Sequence, residues 1–384
     1  MQVLGYIAVQ PDWPIDVANA QNDVEGEHKF WVSAYAPAEP SLHTTVRATA
    51  DALLVDDARI EAQLVSARQL RLSSPALSIP PGVYTAPSLT VACTQIARGT
   101  GVRAFDVTRP GGLVVAGGDD GALDVYETHG THRVRLDGHL GDITACMFFP
   151  SGQVVLSGAT DMQIKIWSAC DGSNPVTLVG HTGAITDFCI IGVGKLVVSA
   201  AKDGRVKVWE CGTSSCLHTY DVSVDPVNAI WYDESALVAA CEDGRVVVID
   251  PRSKVVRAEF GAKGGPPMRS AAFDAQNQLV IGGRADGVVC VWDMDNPEDT
   301  KLSFRRGHAA VSVIRLVSQS NVSHICVGTE DGQLYIAALS DSVTVIEDMV
   351  AFDVNPITQI RITPSTASRP HIWAAAQDSR VCSF

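Results

Sequence analysis

The chain has 384 residues, 46% of them hydrophobic and 19% charged, with a mean hydropathy of +0.13, enough apolar material for a packed core and too much for wholesale disorder. Its 43 acidic residues outnumber 29 basic ones, a net charge of −14, and with no basic stripe to offset it this repels nucleic acid. No apolar run approaches the roughly 18 residues needed to cross a bilayer, so no membrane association is expected.

The N-terminal stretch MQVLGYIAVQPDWP lacks a basic start and meets Pro11 and Asp12 too early for a secretory signal. A soluble, cytoplasmic protein is therefore expected, with the nucleus as a second compatible compartment. Residues 1–87 read as a small β-rich domain. KFWVSAY (29–35), TTVRATADALLV (44–55) and RIEAQLVSARQLRL (59–72) alternate as strands do, and Trp13 and Trp31 are expected in its core. RQLRLSSPALSIPPG (68–82) reads as an irregular connection.

From residue 88 onward a repeat takes over. Tight-turn pairs stand at Asp120-Gly121, Asp161-Met162, Asp203-Gly204, Asp243-Gly244, Asp286-Gly287, Asp331-Gly332 and Asp378-Ser379, with successive aspartates 40 to 47 residues apart. Each pair is flanked by short runs rich in Val and Ile, such as VVLSGA before and QIKIW after, the pattern of a hairpin. Seven hairpins at this spacing, each with two further strands in the interval, predict an all-β fold: a seven-bladed β-propeller over 88–384 beside the small N-terminal domain. The seventh hairpin reaches Phe384 with three strands. SLTVACTQI (88–96) is therefore expected to supply the outer strand of the last blade and remove its open edge.

Two repeats carry a Ser, His and Asp that invite a hydrolase reading: His139, Ser157 and Asp161 with Trp167, and His181, Ser199 and Asp203 with Trp209. A nucleophile must be held where substrate reaches it, yet both serines lie inside apolar strand runs with no G-x-S-x-G elbow. The alternative is a structural tetrad: the aspartate accepts the imidazole N–H, and the serine bridges the imidazole to the indole. No catalytic residue is expected. Gly192-Val-Gly194-Lys195 lacks the hydroxyl of a phosphate loop, and GTG (99–101) lacks a third glycine. Cys211 and Cys216 (CGTSSC), like His129 and His132 (HGTH), have no further ligand pair nearby, so no metal or other cofactor is expected. Most of the ten cysteines fall in apolar runs, which fits reduced, buried thiols.

Loops leading into the inner strands and turns between second and third strands share one face of such a ring. The residue before each turn aspartate points there, and from this set and the lead-in loops the expected partner-binding residues are Asp119, Asp142, Thr160, Lys202, Asp225, Glu242 and Glu330. Their acidic bias suits Lys and Arg side chains of a protein partner.

Gly138-His139, Gly180-His181 and Gly307-His308, with the S-x3-D-x5-W runs, resemble the WD-repeat family. More narrowly, LDGHLGDITACMFFPSGQVVLSGATDMQIKIWSACDG (136–172) and VVSAAKDGRVKVWECGTSSCL (197–217) resemble the proteasomal ATPase-associated factor family. That resemblance implies a non-catalytic, monomeric chaperone that binds the C-terminal domain of a proteasome base ATPase, assists regulatory-particle assembly and leaves before the mature particle works. The rival class is a generic WD-repeat scaffold or peptide reader, in ribosome biogenesis or chromatin.

Overall fold

The computed structural model describes residues 1–384 apart from 23, 51, 94–100, 110, 318–321 and 365–368. The ring is built from its turns. In six hairpins the turn aspartate folds its carboxylate back onto the N–H two residues on, at 3.0–3.3 Å, from Asp120 to Ala122 through Asp378 to Arg380. The residue after the aspartate lies at positive φ in all seven, including Met162 at 66° and Ser379 at 65°. At Gly204 a side chain would also run into the Ser223 carbonyl, so room as well as backbone angle selects glycine. In the remaining hairpin, Thr329 donates to Asp331 at 2.5 Å and accepts the Gln333 N–H at 3.1 Å instead.

These hairpins grow into seven antiparallel blades. Their inner strands are Ala104–Val107, Ile143–Phe148, Ile185–Ile191, Val227–Tyr232, Met268–Asp274, Val311–Leu316 and Ile357–Thr363. Each packs beside the next and the last beside the first, which closes the ring. Apolar clusters span the seams: Val115, Leu123, Cys146, Phe148 and Trp167 join blades one and two.

An inner strand has no backbone partner on its axial side, and side chains take that place. Asp106 accepts the Phe148 N–H at 2.6 Å, Asp187 that of Ile230 at 3.0 Å, Ser270 that of Ile314 at 3.0 Å, and Gln359 that of Phe105 at 3.1 Å. Blades one and two, three and four, five and six, and seven and one are thereby tied. Burial raises the Asp106 and Asp187 carboxyls above their ordinary value, against the pull of Arg361 and Arg315 respectively. Arg361 Nε donates to Asp106 at 2.8 Å, so the channel charge is compensated.

The N-terminal elements are β1 (Gln2–Val3), β2 (Tyr6–Val9), α1 (Trp13–Gln21), β3 (Lys29–Tyr35), β4 (Leu42–Ala48), β5 (Leu53–Val55), β6 (Glu61–Ser66), β7 (Gln69–Ser74), β8 (Ile79–Thr85) and β9 (Leu89–Ala92). β2 to β5 form one sheet. β6 to β8 form a second, whose β8 pairs in parallel with the outer strand of blade six, Val343–Met349. β1 adds in parallel to the outer strand of blade five. Trp13, Phe30, Val32, Val46, Leu70, Leu72 and Tyr84 share one buried core. The helix was not expected from the strand pattern, although Pro14 in its first turn is a helix-start signal.

Two expectations are corrected here. Residues 68–82 are not an irregular connection: β7 and the start of β8 occupy them. Pro80 and Pro81 are tolerated because they precede Val83–Thr85, the only residues of β8 that pair with blade six. Trp31 is not core. On β3 the side chains of Phe30, Val32 and Ala34 point inward, so the alternation turns Trp31 outward, 39% exposed.

β9 pairs antiparallel with Arg380–Ser383 and completes blade seven, with Val91 opposite Val381 and both buried. Residues 94–96 of the expected closing segment lie outside the described residues.

Candidate interaction face

His139 and His181 sit at the mouths of blades two and three, where the chain turns into the inner strand. His139 Nδ1 lies 2.9 Å from Asp161 Oδ2 and Nε2 lies 2.7 Å from Ser157 Oγ, which accepts the Trp167 indole N–H at 2.7 Å. His181, Asp203, Ser199 and Trp209 repeat this at 2.9, 2.8 and 2.8 Å. The donors fix the tautomer. The serine accepts from the indole and gives its own proton to Nε2, so Nδ1–H donates to the aspartate and the ring is neutral. Burial holds both imidazoles below their ordinary value, outweighing the aspartates. Burial pushes the Asp161 and Asp203 carboxyls the other way, yet bonds from Leu140 and Thr182 N–H and from the histidines leave them below the usual range. Both serines are fully buried and every polar atom of the tetrads is used, so neither offers a nucleophile.

These shifts set an acid-side sensitivity. The unfolded imidazoles bind protons below about pH 6.5 while the folded ones resist them, so stability is full above that value and falls as pH drops through it. The lowered aspartates lose their contribution further down, as pH falls below about 4. Calorimetry from pH 7.5 to 5.5 should show a falling unfolding temperature, and a His139→Gln, His181→Gln double variant should show a shallower fall.

The other blades settle their turn aspartates differently. Arg245 and Arg380, each two residues after the turn aspartate, pair with Asp243 and Asp378, Arg284 pairs with Asp286 at 2.5 Å, and Arg135 with Asp120 at 2.5 Å. The Gly307-His308 signature does not form a clamp: His308 is exposed beside Arg305, and Arg306 is buried in its stead.

On the rim, Asp119 is ion-paired with Arg103, and Glu242 accepts Asn228 Nδ2 at 2.7 Å and Arg269 Nη1 at 3.0 Å. These two carboxylates therefore reach the face already neutralised. Asp142, Asp225 and Glu330 hold no carboxylate partner among the described residues, and Thr160 and Lys202 stand exposed. The tips of the same lead-in loops carry apolar side chains: Leu140 is 91% exposed, Val224 89% and Val354 74%. These were missed from sequence, although each stands at the loop position just after the clamp histidine or its equivalent. Carboxylates interleaved with bare apolar tips give this face the mixed charged and apolar character that protein interfaces have.

A seven-bladed ring with histidine clamps defines a WD-repeat β-propeller, and the family model "WD domain, G-beta repeat" matches residues 130–168 and 172–210. Among curated relatives, "Probable proteasomal ATPase-associated factor 1" of Dictyostelium discoideum is 34% identical over 303 residues, 69% of this chain and 71% of that protein. The chain belongs to the proteasomal ATPase-associated factor family. The "26S proteasome regulatory subunit RPN14" of Saccharomyces cerevisiae is 32% identical over 221 residues, 57% of this chain and 49% of the relative. The human "Proteasomal ATPase-associated factor 1" is 35% identical over 152 residues, 38% of this chain and 36% of the relative. The chain thus matches about half of the yeast relative's length.

Proposed function

We propose that this chain is a non-catalytic binding protein that docks the C-terminal domain of a proteasome base ATPase on its rim face and assists regulatory-particle assembly. The observation that carries this reading is the face itself, where Asp142, Asp225 and Glu330 are unpaired among the described residues, the first two in the same lead-in loops as the exposed Leu140 and Val224. Relatives named for association with proteasomal ATPases supply the class of partner. The mechanism is steric and electrostatic. The net charge of −14 steers a basic domain in, the apolar tips are covered on docking, and the bound ring keeps the ATPase from engaging the proteolytic core too early. Such a factor acts in the cytoplasm and the nucleus.

The test is binding of the purified chain to each base ATPase C-terminal domain. Asp142→Lys, Asp225→Lys and Glu330→Lys together should weaken the preferred complex about tenfold or more and flatten its salt dependence, since each rim charge contributes up to about 1 kcal/mol and reversal turns attraction into repulsion. Unchanged affinity would move the site off this face. A pull-down from native extract that recovers ribosomal or chromatin proteins without base ATPases would favour the scaffold reading.

A further inference from the structure

A cleft of about 220 Å³ lies between β2 and the segment Met349–Val354, where the N-terminal domain meets blades six and seven. One wall is a strand edge. Gln10 N–H bonds the Trp31 carbonyl and Ala48 N–H the His28 carbonyl. The antiparallel alternation on β3 therefore turns residues 31, 33 and 35 toward β2, and residues 6, 8 and 10 of the facing chain toward β3. Ile7 and Val9 consequently present their main-chain groups to the cleft. The Ile7 N–H is taken by the Tyr84 hydroxyl. The Ile7 carbonyl and both main-chain groups of Val9 bond no other backbone group among the described residues.

The rest of the lining is aromatic and acidic. Tyr6 and Tyr35 stack at 4.9 Å between ring centroids, and the exposed Trp31 lies on the same sheet face. Asp331, Asp348 and Asp353 line the cleft against one guanidinium, that of Arg306. Arg306 is 7% exposed, lies over the Tyr6 and Tyr335 rings and is neutralised by Asp348. Its Nε–H has no partner among the described residues, and neither has Gln333 Oε1. A buried donor and a buried acceptor left open together are costly unless something fills them.

We propose that this cleft binds an extended peptide segment carrying a lysine or arginine side chain. The segment adds to the free edge of β2, its main chain pairing with Val9 and the Ile7 carbonyl, the manner in which sheet edges recognise peptides. A peptide group has the carbonyl for Arg306 Nε–H and the N–H for Gln333 Oε1. The basic side chain sits against Trp31 and Tyr35 with Asp353 as counter-charge, where ring faces and a carboxylate both favour a cation. This site is shared between the N-terminal domain and blades six and seven, and it does not rest on the reading of Asp142, Asp225 and Glu330.

The probe is a library of acetylated, amidated pentapeptides with Lys, Arg, norleucine or Glu fixed at the centre, applied to the immobilised full chain. The Lys and Arg sets should be retained over the norleucine set, which measures the cation, and over the Glu set. Trp31→Ala and Asp353→Lys, both exposed positions, should each lower that retention about tenfold. Val9→Pro removes an edge donor without touching the β2–β3 ladder and should abolish it, with the unfolding temperature confirming that each variant is folded. The triple rim reversal should leave peptide retention intact. Equal retention of the Lys, Arg and norleucine sets, or loss of none by Trp31→Ala, would overturn the proposal.

Discussion

Replacing Leu89–Ala92 by Gly-Ser-Gly-Ser is expected to abolish the cooperative unfolding transition of the ring. These residues form the whole of the described outer strand of blade seven, in register from Ala92 opposite Arg380 to Leu89 opposite Ser383. The flanking residues add to the closure: Ser88 N–H and Oγ–H both reach the Ser383 carbonyl, at 2.6 and 3.0 Å, and Cys93 N–H reaches that of Ser379 at 2.9 Å. Val91 is fully buried in a cluster with Phe105, Trp373 and Val381. Losing one buried valine costs about 1.5–3 kcal/mol, and a few backbone bonds at roughly 1 kcal/mol each double that. A domain has only about 5–15 kcal/mol to lose. The replacement also leaves Arg380–Ser383 as a bare edge, which invites association between chains. Denaturant unfolding followed by tryptophan fluorescence, with light scattering, checks both effects. A single sharp transition at a midpoint near the parent's would show that the ring does not depend on this strand.

The blades were legible in the sequence because their signal is local. A turn aspartate and a residue able to hold positive φ recur at a fixed period, and Met162 and Ser379 could be placed with the glycines because the flanking runs matched. The N-terminal domain was less legible for the opposite reason. Whether Pro80-Pro81 can lie in a strand depends on which of its neighbours pairs with blade six, a contact about 260 residues away in sequence. Trp31 was misplaced by residue type, whereas its neighbours Phe30 and Val32 already fixed the inward side of β3. The rim was read by charge, but whether a carboxylate is available is decided across a seam: Glu242 of blade four is held by Arg269 of blade five. The axial acceptors Asp106, Asp187, Ser270 and Gln359 had no motif to mark them, since the bond they share is to a backbone N–H in the next blade.

His181→Ala should lower the stability of the ring by about 2–4 kcal/mol, a drop of several degrees in unfolding temperature, while leaving binding at the rim face unchanged. Among the described residues the imidazole alone joins Asp203 to Ser199. Without it the fully buried serine hydroxyl loses its acceptor, the aspartate loses one of the bonds that keep it ionised, and a cavity opens beside Trp209. An orphaned buried polar atom costs about 1–3 kcal/mol, and the cavity adds to it. Because the four groups act in series, the losses should not add. Ser199→Ala alone strands the Trp209 indole N–H and the His181 Nε2, and combining it with His181→Ala removes the histidine–serine mismatch, leaving the indole N–H stranded as in the serine single variant. The double variant should therefore be more stable than the sum of the singles predicts, with a coupling of about 1 kcal/mol or more. Strict additivity would mean that the histidine and serine are independent, and a lost turnover in a variant of undiminished stability would return them to a catalytic role.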